Sequence, residues 1–409
     1  MIFLYNIFGI VFLILSPFII LIRIISGKED KNRFLEKYSL NIKNNNIQTI
    51  WFHGASVGEI MTILPIIKKF EDNKKIKKIL LTSSTTSSAS IIKRQNFKKT
   101  THNYYPFDIG FICDNFLKKW KPKIAIFVDS EIWPNMYERL YSKKIPIILI
   151  NGRITKKSFE RWSKIPSFAN NIFSKVSIAL PQNKKTIDYL NRLGVKKIKF
   201  IGNLKYFKND KSISKANIKK YFKNKLVFCA ASTHYNEEII IARLHLDLKQ
   251  KFKNLITIII PRHINRSEDI IKDLKNLKLK VIKRSNGLKR SNDCDVLIVD
   301  TYGEMSNFLE LSNLAFIGGS IINHGGQNPL EAVRMGNYVM HGRKIENFKE
   351  IYKELKNYEI SSQVKNISEM KQVFVRKYNY KKSKNKIKRI DDLGRRIFKE
   401  NIKVIQNYL

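Results

Sequence analysis

Two carboxylates and a lysine in the first half of the chain stand where a reaction on a hydroxyl could be run. Glu59 closes the run His53-Gly54-Ala55-Ser56-Val57-Gly58-Glu59, a small-residue loop that opens into an apolar helical stretch from Ile60. A carboxylate there can act as general base toward a substrate hydroxyl. It can also merely complement a helix N-terminus, worth ~0.3–1 kcal/mol. Glu131 holds the equivalent place in Asp129-Ser130-Glu131-Ile132-Trp133-Pro134-Asn135. Two acids from neighbouring loops suit acid–base work or hydroxyl binding; the bland alternative for Glu131 is again a helix-start residue. Lys205, in Gly202-Asn203-Leu204-Lys205-Tyr206, could meet a phosphate or carboxylate, although in so lysine-rich a chain a solvated face is the ordinary role.

The second half offers groups for an anion and a ribose. Arg262, in Pro261-Arg262-His263, has the planar fork to hold a phosphate or stack on a base. Gly318-Gly319-Ser320 and then Gly325-Gly326-Gln327-Asn328-Pro329-Leu330-Glu331-Ala332 bring glycines whose backbone N–H groups can approach an anion. Pro329 suits a first helical turn, and Glu331 could grip ribose hydroxyls. Ala230-Ala231-Ser232-Thr233-His234, ahead of Glu237-Glu238, reads as a further anion-facing turn, and Thr301-Tyr302-Gly303-Glu304 completes the set. Asp293-Cys294-Asp295 has the D-x-D spacing of a metal site but precedes the strand starting at Val296, at the end opposite the crevice, so no metal role is expected. The histidines, His53, His102, His234, His245, His263, His324 and His341, show no H-E-x-x-H or close ligand pair and are expected to be structural.

These residues follow short apolar, β-rich runs that alternate with amphipathic stretches. In the first half the runs are Thr49 to His53, Ile79 to Ser83, Ile124 to Asp129, Ile145 to Ile150 and Ile198 to Gly202. After a polar passage from about Lys208 to Asn224 come Leu226 to Ala231, Leu255 to Ile260, Lys280 to Lys283, Val296 to Asp300, Leu314 to Ile317 and Tyr338 to Met340. That rhythm predicts βα units around largely parallel sheets, in two Rossmann-like halves with a linker. Ligands of such sheets bind beyond the carboxyl ends of the strands, where the residues above fall. The segment from Tyr380 to Leu409 reads as a basic helix.

At 409 residues and 43% hydrophobic the chain can build two ordinary domains, which excludes a disordered or collagen-like polymer. A net charge of +43 calls for an acidic partner: nucleic acid, anionic lipid or a phosphorylated substrate. Cys113, Cys229 and Cys294 stand far apart with no C-x-x-C, which argues against a zinc site or a disulfide framework and suits a reducing compartment. The first 22 residues contain no Asp, Glu, Lys or Arg. As a helix they would reach ~33 Å, enough for a hydrocarbon core of ~30 Å. With no leading charge, as a cleaved signal would have, they read as an uncleaved membrane anchor, either spanning the bilayer or lying in its interface. Arg23, Lys28, Lys31, Arg33 and Lys37 then place the following domains on the cytoplasmic side.

Taken together the motifs resemble the 3-deoxy-D-manno-octulosonic acid (Kdo) transferases of lipopolysaccharide assembly. The likeness runs in order through HGASVGE at His53 to Glu59, EIWPN at Glu131 to Asn135, NGRIT at Asn151 to Thr155 and GNLKY at Gly202 to Tyr206. It continues through ASTH at Ala231 to His234, PRH at Pro261 to His263, DTYGEM at Asp300 to Met305 and GGQNPLEA at Gly325 to Ala332. The resemblance implies an α/β fold of GT-B glycosyltransferase architecture, two Rossmann-like domains facing a cleft, with an N-terminal membrane-anchor helix. It divides the chain into an anchor over 1–26, an acceptor domain over 27–207, a linker over 208–224, a CMP-Kdo-binding domain over 225–380 and a basic C-terminal helix over 381–409.

The implied activity is inverting, metal-independent transfer of Kdo from CMP-Kdo to the glucosamine 6'-hydroxyl of a lipid A precursor, at the bacterial inner membrane and without a cofactor. By the same resemblance Glu59 is the proton acceptor, and Glu131 and Lys205 stabilise the transition state. CMP falls to Pro261, Arg262, Tyr302, Gly303, Glu304, Asn328, Pro329, Leu330 and Glu331. The chain departs from the family pattern at Gln327, where His is usual, and at Tyr206-Phe207, where Asp is usual close behind GNLK.

Two other readings compete. Another GT-B protein, a UDP-sugar transferase on a lipid carrier or a sugar-nucleotide epimerase, would differ in preferring UDP over CMP. A basic, membrane-tethered nucleic-acid-binding protein would account for the charge, but the lysines are spread among Asn and Ile with no basic stripe interleaved with aromatics, so no nucleic-acid partner is expected.

Overall fold

The computed structural model describes residues 1–42, 47–207, 218–288 and 294–409. Positions 208–217 of the expected linker and Asp293 of the D-x-D run lie outside the described residues. Two compact units form, Met1–Lys208 with Asp392–Leu409, and Asn209–Asp391.

In the first unit α1 (Ile2–Ile25) precedes β1 (Thr49–His53), α2 (Val57–Glu71), β2 (Ile79–Ser83), α3 (Thr86–Lys93), β3 (Thr100–Tyr104), α4 (Gly110–Trp120), β4 (Pro122–Val128), α5 (Pro134–Ser142), β5 (Ile147–Gly152), α6 (Lys156–Ser163), α7 (Pro166–Phe173), β6 (Ile178–Pro181) and α8 (Lys184–Leu193). The strands pair in parallel in the order β3-β2-β1-β4-β5-β6. Strands β1 and β5 are buried at every position. With both faces of the sheet covered, such strands are written as continuous apolar runs rather than alternations.

The second unit holds β7 (Leu226–Thr233), α9 (Glu237–Lys249), β8 (Leu255–Pro261), α10 (Ser267–Asn276), β9 (Val281–Lys283), β10 (Val296–Ile298), α11 (Met305–Leu311), β11 (Leu314–Ile317), α12 (Leu330–Arg334), β12 (Tyr338–His341), α13 (Lys349–Asn357), β13 (Ser361–Gln363) and α14 (Ile367–Lys377); α15 (Lys384–Gln406) starts in this unit and from Asp392 belongs to the first. This sheet too is parallel throughout, in the order β13-β12-β11-β7-β8-β10-β9. The strand order reverses between β1 and β4 in one sheet and between β7 and β11 in the other. Those are the positions where a doubly wound sheet opens a crevice for a ligand.

The expected strand Ile198 to Gly202 is not a strand of the sheet. Only Ile198 makes an isolated bridge, to Ala179 of β6, which takes the edge position instead. Gly202 is left-handed at φ +120°, and a Cβ there would lie 2.8 Å from the Ile397 side chain of α15. Strands β3, β6 and β13 escape the sequence reading because they are polar or short: TTHNY, IALP and SSQ. Local chemistry fixes the helix starts. Ser56, Thr85, Thr155, Asn183 and Asn366 each accept the backbone N–H three residues on, relieving a donor with no partner inside the helix.

Candidate active site

At the β1/β4 switch point of the first unit the three sequence-predicted residues come together. Ser56 caps α2, and the Glu59 carboxylate turns back to accept the Ala55 N–H at 2.7 Å and the Ser56 hydroxyl at 2.8 Å. Glu59 thus serves the helix start, accepting the N–H of the residue just ahead of the N-cap. It is nonetheless an unusual carboxylate. Burial first, then the neighbouring Glu131 charge, push it from 4.5 to about 7 against the pull of those two hydrogen bonds. A group poised there can be ionised at neutral pH and still take a proton.

Glu131 is held by a chain of donors that begins in the core. The Trp51 Nε1–H donates to Thr82 Oγ1 at 2.9 Å, Thr82 Oγ1 lies 2.9 Å from His53 Nδ1, and His53 Nε2 lies 3.0 Å from Glu131 Oε2. A carboxylate oxygen accepts, so the imidazole presents Nε2–H to Glu131. The same Glu131 oxygen accepts the Trp133 Nε1–H at 2.9 Å. His53 is fully buried. It is structural in the sense expected of a lone histidine, but what it structures is the second carboxylate.

Lys205 follows β6 in a short 3-10 turn (Leu204–Tyr206) whose course is set by amides. Asn151 Oδ1 accepts the Leu204 N–H at 2.9 Å, Asn203 Oδ1 accepts the Lys205 N–H at 2.9 Å, and Asn203 Nδ2 donates to Gln182 at 3.1 Å. Burial lowers the Lys205 ammonium, while Asp129 and Glu59 raise it. Burial likewise raises Asp129, and the cations Arg153 and Lys205 draw it back. Asp129 and Arg153 therefore belong to the cluster although the sequence reading gave them no role. Asp129 carries a signal in its left-handed backbone, φ 62° at the end of β4, but only the fold displays it. Asp108, also unread, accepts the Asn135 and Met136 N–H groups at 3.0 and 2.8 Å and so fixes the start of α5 behind Glu131.

In the second unit one expectation is corrected. The N–H groups of the Gly318-Gly319-Ser320 turn face an anion, but it is the protein's own. The buried Glu237 carboxylate accepts Gly319, Ser320, Ile321 and His234 N–H groups at 2.6, 3.0, 3.0 and 3.0 Å. The Gly318 site is also too tight for a side chain, with a Cβ falling 2.4 Å from the Ser232 carbonyl. The next turn is spent as well, since Gly326 N–H donates to Gly319 and Gln327 N–H to Gly318.

Arg262 follows β8 with its side chain exposed, Pro261 is buried, and Tyr302 is 80% exposed beside Gly303 at φ +81°. Glu304 starts α11, receives Arg284 at 2.9 Å and bonds to the Thr301 hydroxyl. Asn328 Oδ1 accepts the Leu330 N–H at 3.1 Å, and Glu331 accepts the Ser306 hydroxyl of α11 at 2.6 Å. The Tyr302–Glu304 and Asn328–Glu331 segments thus meet through α11 and α12. Gln327 Nε2 lies 3.0 Å from His234 Nε2, and the His324 and His263 rings pack on His234 with centroids 4.0 and 5.9 Å away. Asp295 is occupied structurally, accepting the Lys280 N–H at 3.0 Å and pairing with Lys249 at 3.4 Å.

Residues 31–208 match the family model described as 3-Deoxy-D-manno-octulosonic-acid transferase (kdotransferase). The 3-deoxy-D-manno-octulosonic acid transferase of Rickettsia bellii is 31% identical, the match covering 96% of this chain and 94% of that protein. The enzyme of the same name from Haemophilus influenzae is 29% identical, covering 80% and 78%. Among solved structures, UDP-GlcNAc 2-epimerase from Neisseria meningitidis, bound to UDP-GlcNAc, aligns with TM-score 0.57 and 14% identity over 88% of this chain and 99% of that one, a likeness of fold alone. The two parallel-sheet Rossmann-like units are those of a GT-B glycosyltransferase, and the chain belongs to the 3-deoxy-D-manno-octulosonic acid transferase family.

Proposed function

We propose that the protein transfers Kdo from CMP-Kdo to the glucosamine 6'-hydroxyl of a lipid A precursor, with inversion and without a metal ion. The observation that carries the reading is Glu59, a carboxylate raised to about 7 by burial and by Glu131 at the switch point of the first sheet. In this mechanism Glu59 takes the hydroxyl proton as that oxygen attacks the anomeric carbon and the bond to the CMP phosphate breaks. Glu131, pinned by His53 and Trp133, faces the oxocarbenium character that develops on the sugar, and Lys205 meets negative charge on the departing phosphate.

The donor is held by the second unit. Arg262 forks onto the phosphate, Tyr302 offers a ring to the base, and Glu304 and Glu331 with Asn328 take the ribose and base edges, on the three segments that carry Pro261, Gly303 and Pro329-Leu330. Membrane association through α1, on the cytoplasmic face of the inner membrane, brings the enzyme to its acceptor. The test is mass spectrometry of a lipid A precursor incubated with CMP-Kdo and the purified protein, with and without chelator. A chelator-insensitive gain of one or more Kdo masses is expected; no gain, with displacement of bound UDP but not CMP, would replace this reading with a UDP-sugar enzyme.

A further inference from the structure

Helix α1 is tied to the first unit along most of its length. Tyr5 Oη donates to Asp108 at 2.8 Å, Phe12 meets Phe107 edge-on at 5.1 Å, Ser16 Oγ and Tyr38 Oη lie 2.7 Å apart, and Arg23 reaches Glu29 at 3.0 Å. From Tyr5 to Arg23 the axis runs about 27 Å, nearly the ~30 Å of a hydrocarbon core. A crossing helix would carry Asp108, Tyr38 and Glu29 into the bilayer with it, at a cost that buried polar and ionised groups do not sustain. The helix therefore suits a place along the membrane face of the unit, with Phe3, Ile7, Ile10, Ile14, Phe18 and Ile25 exposed on its free side.

Beneath the docked side lies a cavity of about 570 Å³, walled by Gly9 and Phe12 of α1 and by Tyr105, Phe107, Ile109 and Trp133 of the body. That is the size of a small-molecule pocket, which spans ~300–1,000 Å³. It shares walls with the candidate active site. The Trp133 ring lines it while its Nε1–H holds Glu131, and the Tyr105 ring packs 4.0 Å from His53. The lining is mostly apolar, with Arg23, Glu29, Lys37 and Asp108 also on its wall.

We propose that this cavity is the subsite for one acyl chain of the acceptor lipid, with α1 as its roof. The proposal rests on the reading that the acceptor is a lipid-linked glucosamine. An acceptor chain is favoured over a bilayer phospholipid because Trp133 both lines the cavity and holds Glu131, whereas bulk lipid is met by the free face of α1.

The experiment pairs kinetics with photolabelling. At Gly9 a Cβ would sit 3.5 Å from Ile109 Cγ1, so Gly9→Phe fills the cavity from the roof. It is expected to raise KM for the acylated precursor at least tenfold with KM for CMP-Kdo unchanged. A precursor carrying a diazirine at a chain end should label residues around Gly9 or Ile109 in the wild type, competed by unlabelled precursor and not by excess phospholipid. Normal Kdo transfer with label elsewhere, or with label competed by phospholipid, overturns the subsite and leaves the function standing. No Kdo gain at all by wild type refutes the function, and the proposal falls with it.

Discussion

Glu59 has two duties that a single substitution separates. Glu59→Gln keeps an oxygen to accept the Ala55 N–H and preserves shape, but an amide cannot take a proton. The variant is expected to bind CMP-Kdo normally and to lose about 10²–10⁴-fold in kcat; near-normal turnover would remove Glu59 from the mechanism. The pH dependence follows from the same environment. Glu59 must be ionised to act, so kcat should rise with pH through about 7 and the rise should disappear in the variant. Stability runs the other way. A carboxylate raised on folding binds more protons folded than unfolded, so its contribution is lost as pH climbs from 4.5 to about 7. His53 offers a separate test of positioning. His53→Phe keeps a ring against Tyr105 and Phe127 but removes the donor to Glu131. A hydrogen bond to a charged group contributes ~1.5–3 kcal/mol, so a drop in kcat of roughly 10–100-fold is expected with KM for CMP-Kdo unmoved. A matching rise in donor KM would instead mean a disturbed fold.

Among the elements, the turn after β11 depends on Glu237 as a buried anion. Glu237→Gln replaces one acceptor oxygen by an NH₂ group that must face backbone N–H donors. A loss of about 2–3 kcal/mol is expected, read as a lower urea midpoint with unchanged slope, together with weaker CMP binding because Gln327 to Glu331 hang on that turn. Stability equal to wild type would show that the four N–H groups find water instead. This site also marks the limit of what the residues announced. Gly318-Gly319-Ser320 was legible as a place where N–H groups converge on an anion, but which anion fills it depends on Glu237 lying opposite across the β7/β11 switch point, a long-range fact. Glu59 and Glu131 could be picked out because each follows an apolar strand at a crevice end, whereas Lys205 was picked out after a run, Ile198 to Gly202, that forms no strand of the sheet. Asp129, Arg153 and His53 were not, because their roles come from neighbours 20 to 80 positions away rather than from spacing. Strand β1 could be read to the residue since burial on both faces writes it in apolar letters, whereas edge strands β3 and β13 carry polar ones.

At the scale of the whole molecule, the +43 net charge and the apolar α1 provide two distinct attractions to a membrane. The first is Coulombic, worth ~1 kcal/mol for each Lys or Arg near an anionic surface, and it fades as the Debye length falls from ~10 Å at 0.1 M salt to ~3 Å at 1 M. The second is hydrophobic and salt does not screen it. Thirteen or more exposed large apolar side chains belong to α1, among them Phe3, Phe8 and Phe18, whereas the lysines are scattered over both units. The full chain should therefore co-sediment with anionic vesicles at 0.1 M and at ~1 M salt alike, and a chain lacking residues 1–26 should bind at low salt and release at high salt. Neutral vesicles should retain the full chain and not the shortened one. Release of the full chain by salt would mean that the free face of α1 gives little to the bilayer. In that case the charge would be the principal tether, and activity on a membrane-borne acceptor would fall with ionic strength in step with binding.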